Sequence, residues 1–388
     1  MKTVGIICEY NPLHLGHASQ METIRRICGA DTAIVCVMSG NFVQRGEPAV
    51  LDKYTRASAA VSCGADLVVE LPVTAALSSA EGFARGGVEV LDRMGVADLL
   101  CFGSETGDAA GLLAAARAME DPRFTVCLRE KLAAGLSYGA AKQQALEELT
   151  GVNEIARKPN DILAVEYCRA LRLRQSTIEP LPILRPGSYH DAAPDPDNPS
   201  ATAVRGLMDG ADWLRFVPEK ARELFRDAPH YSLAHGERAV LARLRAMTAE
   251  EWEKTAHGSE GLWSKAMKAV RSEAALAAVV EKTLSKRYPR TRIMRLLACA
   301  YLGLTEEALA VPVTAVRVLA LSHRGTALLK KARAQGSLQM LNPGQRSDDP
   351  AFEERERRIS DLYTLFSSGK TGLAPDMEKK ARISFAEK

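Results

Sequence analysis

The sequence predicts a doubly wound, parallel α/β sheet over residues 1–210, followed by a mainly α-helical region over 211–388. Three observations predict it. Short apolar runs alternate with segments of helical spacing in the first part of the chain, the pattern of a parallel sheet covered by helices. Strand signals fade after Ala211, where helical spacing takes over. A His-x-Gly-His run stands where the first strand ends and the first helix begins, at the sheet edge where open α/β folds bind ligands.

The first strand is the buried apolar run 4–8. Asn11-Pro12 breaks it, because proline has no N–H for a ladder. His14-Leu15-Gly16-His17 then opens a helix whose apolar positions are Ala18, Met21, Ile24 and Ile27. A helix start offers unpaired N–H groups and positive dipole to an anion, and Gly16 lets the backbone come close to it. His14 and His17 can donate to phosphoryl oxygens as charge develops there. The chemistry this predicts is attack on the α-phosphate of a nucleotide with loss of pyrophosphate, which needs positioning more than a covalent group. The plain alternatives are two solvated histidines on a surface helix, or a metal pair, for which no further ligands lie nearby.

The second strand is 32–38, and the polar loop 39–48 should reach the same sheet edge. Asp52 caps the next helix; Arg45, Lys53 and Arg56 either hold phosphate or belong to an exposed loop. The third strand is 66–72, a helix covers 81–91, and the fourth strand, 98–102, ends at Gly103, which is either a turn glycine or a point of ligand approach. Residues 109–118, 123–135 and 138–149 have helical spacing. Asn160 or Asp161 reads as the N-cap of a helix over 162–173. The fifth strand, 178–184, is an edge or irregular strand because it holds Pro180 and Pro182. Arg185 at its end can reach phosphate or stack on a base. After an aspartate- and proline-rich loop, Ser200, Thr202 and Arg205 open a helix as a second phosphate site, or as an ordinary cap.

In the helical region, 213–228, 236–247, 249–257, 264–278, 291–302, 324–334 and 351–367 have helical spacing. Residues 311–321 hold one candidate strand, and the tail after Gly369 is expected to be loose. The stretch 281–295 sets six basic side chains, Lys282, Lys286, Arg287, Arg290, Arg292 and Arg295, against one acid, the footprint of an RNA surface or of a solvated face.

Composition narrows the classes. Hydrophobic content of 46% with 26% charged residues fits a soluble globular protein, and 5% aromatic residues argue against a chain built of stacking platforms. No run spans a bilayer, and Met1-Lys2-Thr3 leads straight into the first strand, so a cytoplasmic protein without signal or membrane anchor is expected. The eight cysteines form no Cys-x-x-Cys pair and read as reduced, buried thiols.

The stretch around His14 resembles the His-x-Gly-His signature of the nucleotidylyltransferase superfamily, whose domain is Rossmann-like and which includes class I aminoacyl-tRNA synthetases. Over 4–17, 40–48, 64–72, 81–95, 102–108, 158–171, 200–205 and 282–295 the chain further resembles the bacterial tRNA(Met) cytidine acetate ligase family. The family opens with Glu-Tyr-Asn-Pro-Phe-His-Asn-Gly-His; here Leu13 and Leu15 replace the phenylalanine and the asparagine. The resemblance implies that acetate attacks ATP to give acetyl-adenylate. The wobble cytidine of elongator tRNA(Met) then takes the acetyl group on N4 and AMP leaves, without acetyl-CoA. It implies an ATP site in Ile7, Cys8, Glu9, Tyr10, Asn11, Pro12, Leu13, His14, Leu15, Gly16, His17, Ala18, Ser19 and Gln20, with further contacts at Gly103, Asn160 and Arg185. His14, His17, Ser200, Thr202 and Arg205 are the expected catalytic set. Mg2+ is expected from the phosphate chemistry, though the sequence shows no ligand set for a metal. Two other readings share the motif. One is a small-molecule adenylyltransferase, which would not need the basic helical part; the other is a non-catalytic nucleotide- and RNA-binding protein.

Overall fold

The computed structural model describes residues 2–151, 155, 158–185, 195, 199–210 and 212–369. The expectations for 186–191, for most of the aspartate- and proline-rich loop and for the tail after Gly369 lie outside these residues. Among the described residues the strands are β1 (Thr3–Cys8), β2 (Ala33–Ser39), β3 (Phe42–Val43), β4 (Glu47–Pro48), β5 (Leu67–Leu71), β6 (Leu99–Ser104), β7 (Glu179–Leu184), β8 (Ala315–Leu321) and β9 (Gln339–Leu341). Seven form one sheet in the order β7-β6-β1-β2-β5-β8-β9, and β3 and β4 form a small hairpin.

The chain moves outward from β1 through β2 to β5, then returns to lay β6 and β7 on the other side of β1. All these pairings are parallel. The order therefore reverses between β1 and β6, and the crevice at their C-terminal ends is where such a sheet takes a ligand. The strands read as continuous apolar runs because both faces are covered. In β2, Ile34, Cys36 and Met38 pack with Met21 and Ile24 of α1 (Leu15–Cys28) and with Ala57 and Ala60 of α2 (Lys53–Ser62). Val35 and Val37 point the other way, into a core with Phe83, Val88 and Leu91 of the helix Ala80–Met94.

The sheet does not close within residues 1–210. The candidate strand over 311–321 is β8, which pairs antiparallel with β5, and β9 adds to it in parallel. A parallel sheet was expected; the sheet is mostly parallel, with this one antiparallel step. Asp66 fastens the joint: its carboxylate accepts from the Ile34 N–H at 2.9 Å, the Ser322 hydroxyl at 2.9 Å and Arg25 at 3.2 Å. Gly325 lies so close to the Asp66 carbonyl that a Cβ would not fit. β9 is three residues long, too short to leave a period in the sequence.

The rest of the second part is helical and has its own core around Trp252, Leu262, Leu296 and Phe366, into which Phe42 of β3 inserts. The expected helix over 264–278 is two, Leu262–Ser272 and Leu276–Thr283. The one over 213–228 is a 3-10 turn, Asp212–Phe216, and a helix, Glu219–Arg226, separated at Pro218. All eight cysteines are free, five of them buried. No helix among the described residues is long and apolar enough to cross a membrane.

Candidate functional site

β1 ends at Cys8, and the chain must reverse before α1 begins at Leu15. Tyr10 makes the reversal at φ 46°, a left-handed conformation uncommon for a bulky residue. Its buried ring meets His17 edge-on, with centroids 4.9 Å apart. The Asn11 side-chain oxygen accepts from the Val50 N–H at 2.8 Å, tying the loop to the start of α2. This fixes His14 at the N-cap of α1 and His17 one turn into it.

The two imidazoles stack, centroids 3.7 Å apart and planes 26° apart. The His14 N–H donates to Nδ1 of His17 at 3.3 Å. An accepting Nδ1 leaves the proton of a neutral His17 on Nε2, as a donor. His14 is 1% exposed, yet neither of its ring nitrogens has a partner among the described residues. A buried polar atom left unpaired costs on the order of 1–3 kcal/mol, so a ligand that pairs it gains that much. Burial, with Arg185 and Arg205 nearby, pushes His14 down to about 3. Burial and the neighbouring His14 push His17 well below the usual imidazole value. Both rings are therefore neutral donors near pH 7, not cations.

They face a cavity of about 750 Å3 at the switch point, a size suited to a nucleotide. Of the segment from Ile7 to Gln20, ten residues border it: Ile7, Cys8, Glu9, Tyr10, Asn11, His14, Gly16, His17, Ser19 and Gln20. Pro12, Leu13, Leu15 and Ala18 do not. Leu13 is instead wholly buried in the core beneath α1. Gly103, Asn160 and Arg185, far apart in sequence, border the same cavity.

Asn160 is not the N-cap of its helix. The helix is Pro159–Leu173, Lys158 is its cap residue, and the capping is done from outside by Glu105. One oxygen of Glu105 accepts from the Asn160 backbone and side-chain amides at 3.2 and 2.8 Å; the other accepts from the Asp161 N–H at 2.9 Å. Asp161 in turn accepts from the Glu105 N–H at 3.1 Å and from the Ser104 hydroxyl. A carboxylate two residues beyond Gly103 thus locks the end of β6 to this helix and sets Asn160 against the cavity. No local pattern marks Glu105. Leu163 and Tyr167, with Phe83 and Phe102, give the cavity an apolar wall that the sequence reading did not name. They were within reach: 160, 163 and 167 fall on one face of a helix.

Ser200 caps the short helix Ala201–Arg205, its hydroxyl accepting from the Ala203 N–H at 3.1 Å, and does not border the cavity. Thr202 and Arg205 do. Arg205 donates to the Asn11 carbonyl at 2.7 Å and to the Thr202 hydroxyl at 3.2 Å, which places its charge beside His14. Of the three cations near the loop 39–48, Arg45 borders the cavity. Lys53 is buried in an ion pair with Glu70 at 2.8 Å. Arg56 is buried and donates to main-chain carbonyls of Glu9, Ser39, Gly40 and Leu51. These two build the floor and do not face a phosphate.

The basic stretch spans the end of the helix Leu276–Thr283, a turn, and the helix Arg290–Leu302. Its local excess of charge is partly answered in space. Arg287 and Arg292 meet Glu260 at 3.3 and 2.9 Å, Arg290 meets Glu281 at 2.8 Å, and Lys282 meets Glu273 at 2.5 Å. Arg295 is turned inward and donates to the Gln44 carbonyl at 3.4 Å. Lys286 is exposed. Exposed pairs of this kind are worth about 0–1 kcal/mol, so phosphates can take them over.

A family model described as HIGH Nucleotidyl Transferase matches residues 1–374. A protein of Acetivibrio thermocellus named tRNA(Met) cytidine acetate ligase is 35% identical, over 94% of this chain and 95% of its own. One of the same name from Syntrophotalea carbinolica is 35% identical, over 97% of each. A crystal structure of Thermotoga maritima TmcAL bound with alpha-thio ATP is similar at a TM-score of 0.86, with 30% identity, over 96% of this chain and 97% of that one. The apo form of the same protein gives a TM-score of 0.89.

Proposed function

This chain belongs to the tRNA(Met) cytidine acetate ligase family of HIGH nucleotidyl transferases, and from that membership we infer how its cavity works. The chain is an ATP-dependent ligase that acetylates a tRNA cytidine. Acetate attacks the α-phosphate of ATP and pyrophosphate leaves. The amine on C4 of the wobble cytidine of elongator tRNA(Met) then attacks the acetyl carbonyl, and AMP leaves. The observation that carries this reading is the pair of neutral, stacked histidines facing a nucleotide-sized cavity with Arg185 and Arg205 beside them.

ATP lies along β1 and α1, with Gly103, Asn160 and Arg185 against it. His17 Nε2–H and the one ring N–H of a neutral His14 donate to phosphoryl oxygens without carrying charge. Thr202, Arg205 and Arg45 border the cavity and meet the charge that builds on the departing pyrophosphate. Ser200 acts on the reaction by capping the helix that presents Thr202 and Arg205. Among the described residues no three His, Cys, Asp or Glu side chains group as a metal site, which suits a magnesium ion carried on the triphosphate rather than an all-protein cage. Mg2+ comes in as the counter-ion of the triphosphate, part of the substrate. The protein works in the cytoplasm, where its tRNA is. Residues 1–210 carry the ATP chemistry and 211–388 hold the tRNA, with β8 and β9 lent back to the sheet.

Acetate-dependent exchange of labelled pyrophosphate into ATP tests the first step, and transfer of labelled acetate to tRNA tests the second. An adenylyltransferase of small molecules would show neither acetate dependence nor transfer. The tRNA surface has its own expected outcome. Replacing Lys286, Arg287 and Arg290 together with glutamine weakens tRNA binding and flattens its salt dependence, by a log–log slope of roughly 0.9 for each duplex phosphate that is no longer neutralised. Normal binding with an unchanged slope would make the stretch a solvated face.

A further inference from the structure

A second cavity, of about 230 Å3, lies behind the hairpin of β3 and β4. It is bordered by Phe42 and Gly46 on the hairpin side and by Leu276, Val280, Arg290 and Met294 on the helical side. It is too small for a nucleoside triphosphate and has room for one pyrimidine ring. The hairpin is the partition: Val43, Gln44 and Arg45 border the nucleotide cavity, Phe42, Gly46 and Pro48 the smaller one, and Glu47 borders both. The Glu47 carboxylate is half-buried and takes no hydrogen bond or ion pair from another described residue.

The partition is held in register with the basic helix. Gly46 has φ +82°, and a Cβ there would overlap the Met294 main chain, so only glycine allows the close approach. Arg295 of the same helix donates to the Gln44 carbonyl at 3.4 Å. The smaller cavity thus lies beside Arg290 of the basic stretch and is separated from the nucleotide cavity by the hairpin, on which Glu47 is the residue common to both.

We propose that this cavity receives the cytosine of the tRNA and that Glu47 accepts a hydrogen bond from its exocyclic amine; the proposal rests on the acetate-ligase reading above. An enzyme acting on a base must take that base out of its stack into a pocket. A carboxylate is the acceptor that suits the amine on C4 of cytosine, and it faces a carbonyl oxygen if uracil enters instead. As the amine nitrogen attacks the acetyl carbonyl carbon, the N–C bond forms. The C–O bond to the phosphate breaks and its electron pair leaves on AMP. The nitrogen gives up one proton, to the Glu47 carboxylate. The ring stays in the smaller cavity while its amine reaches past Glu47, the residue that borders both cavities, to the acetyl carbonyl.

The test uses the full-length protein and an elongator tRNA(Met) transcript. Ala234 and Ala277 are exposed residues on the border of the smaller cavity and do not border the larger one. Ala234→Leu and Ala277→Leu narrow it without touching a core. In these variants the ratio of acetyl transfer to acetate-dependent pyrophosphate exchange should fall by about tenfold or more. A ratio equal to that of the parent overturns the pocket. For Glu47→Gln the readout is binding: the parent should prefer the transcript with cytidine at the wobble position over one with uridine by about tenfold, and the variant should lose that preference. A variant that keeps the preference removes Glu47 from the role. The parent serves as the separate check on the family reading, because an intact protein that transfers no acetate at all defeats that reading rather than the pocket.

Discussion

His14→Ala and His17→Ala each cut acetate-dependent pyrophosphate exchange by about 10²–10³, the loss usual for one preorganised donor to a developing oxyanion. The fold survives both changes. His17 lies at the edge of the cavity, and His14 makes no side-chain hydrogen bond that the fold would miss. Removing the His14 ring even lifts the cost of two buried, unpaired nitrogens, so the apo protein should be as stable or slightly more stable. The loss should appear in kcat more than in KM, since the donors act where charge grows. His17→Gln can place its amide nitrogen near the Nε2 position and should recover part of the rate, which a merely steric role would not predict. Exchange near the parent rate in both alanine variants would falsify the assignment.

The pH dependence follows from the same burial. Folding lowers the value for His14 from its ordinary 6.5 to about 3, so the unfolded chain binds the proton more readily. Stability from the neutral ring is fully present above about pH 6.5 and is lost as the pH falls from there through 3. His17 moves in the same direction. In the parent, a denaturation midpoint followed from pH 7 to pH 4 should fall, and His14→Ala should flatten that fall.

Much of this site was legible from local chemistry. The strand–break–helix order around His14 needs only an apolar run, a proline and a helical period, all of which lie within two dozen residues. The five strands expected over 1–210 are β1, β2, β5, β6 and β7: the first four are mostly buried apolar runs, and β7 is a partly exposed edge strand with two prolines. What was missed depends on contacts across the sheet. Glu105 looks like a turn residue until the helix Pro159–Leu173 arrives to be capped by it. The basic stretch counts six cations to one acid along the chain, and only folding brings Glu260 and Glu273 against it. β8 was readable as a strand, but not as the neighbour of β5, since a pairing across some 250 residues leaves no local trace.

Arg56 tests the same limit through stability. Beside an expected phosphate loop it reads as a phosphate ligand, yet its Nε donates to the Leu51 carbonyl at 2.9 Å and its terminal nitrogens to Glu9 at 2.6 Å, Ser39 at 3.0 Å and Gly40. It is fully buried; burial weakens its hold on the proton, and Tyr363, Asp52 and Glu9 offset that in part. The Glu9, Ser39 and Gly40 carbonyls stand at the ends of β1 and β2, where the loops that carry His14 and Arg45 begin, and the Leu51 carbonyl lies just before α2. Arg56→Leu leaves them without a donor inside the core, and removing one partner of a buried charged network costs about 3–5 kcal/mol. Arg56→Lys recovers little, because one ammonium cannot reproduce the planar fork that spans four carbonyls. In urea, both variants should shift the unfolding midpoint downward with the slope unchanged. Pyrophosphate exchange should fall as well, since the two loops lose their common anchor. A phosphate ligand would behave in the opposite way: Arg56→Lys would keep the parent's midpoint and raise KM for ATP. That result would return Arg56 to the nucleotide and leave the junction of β1 and β2 to be held by its other contacts alone.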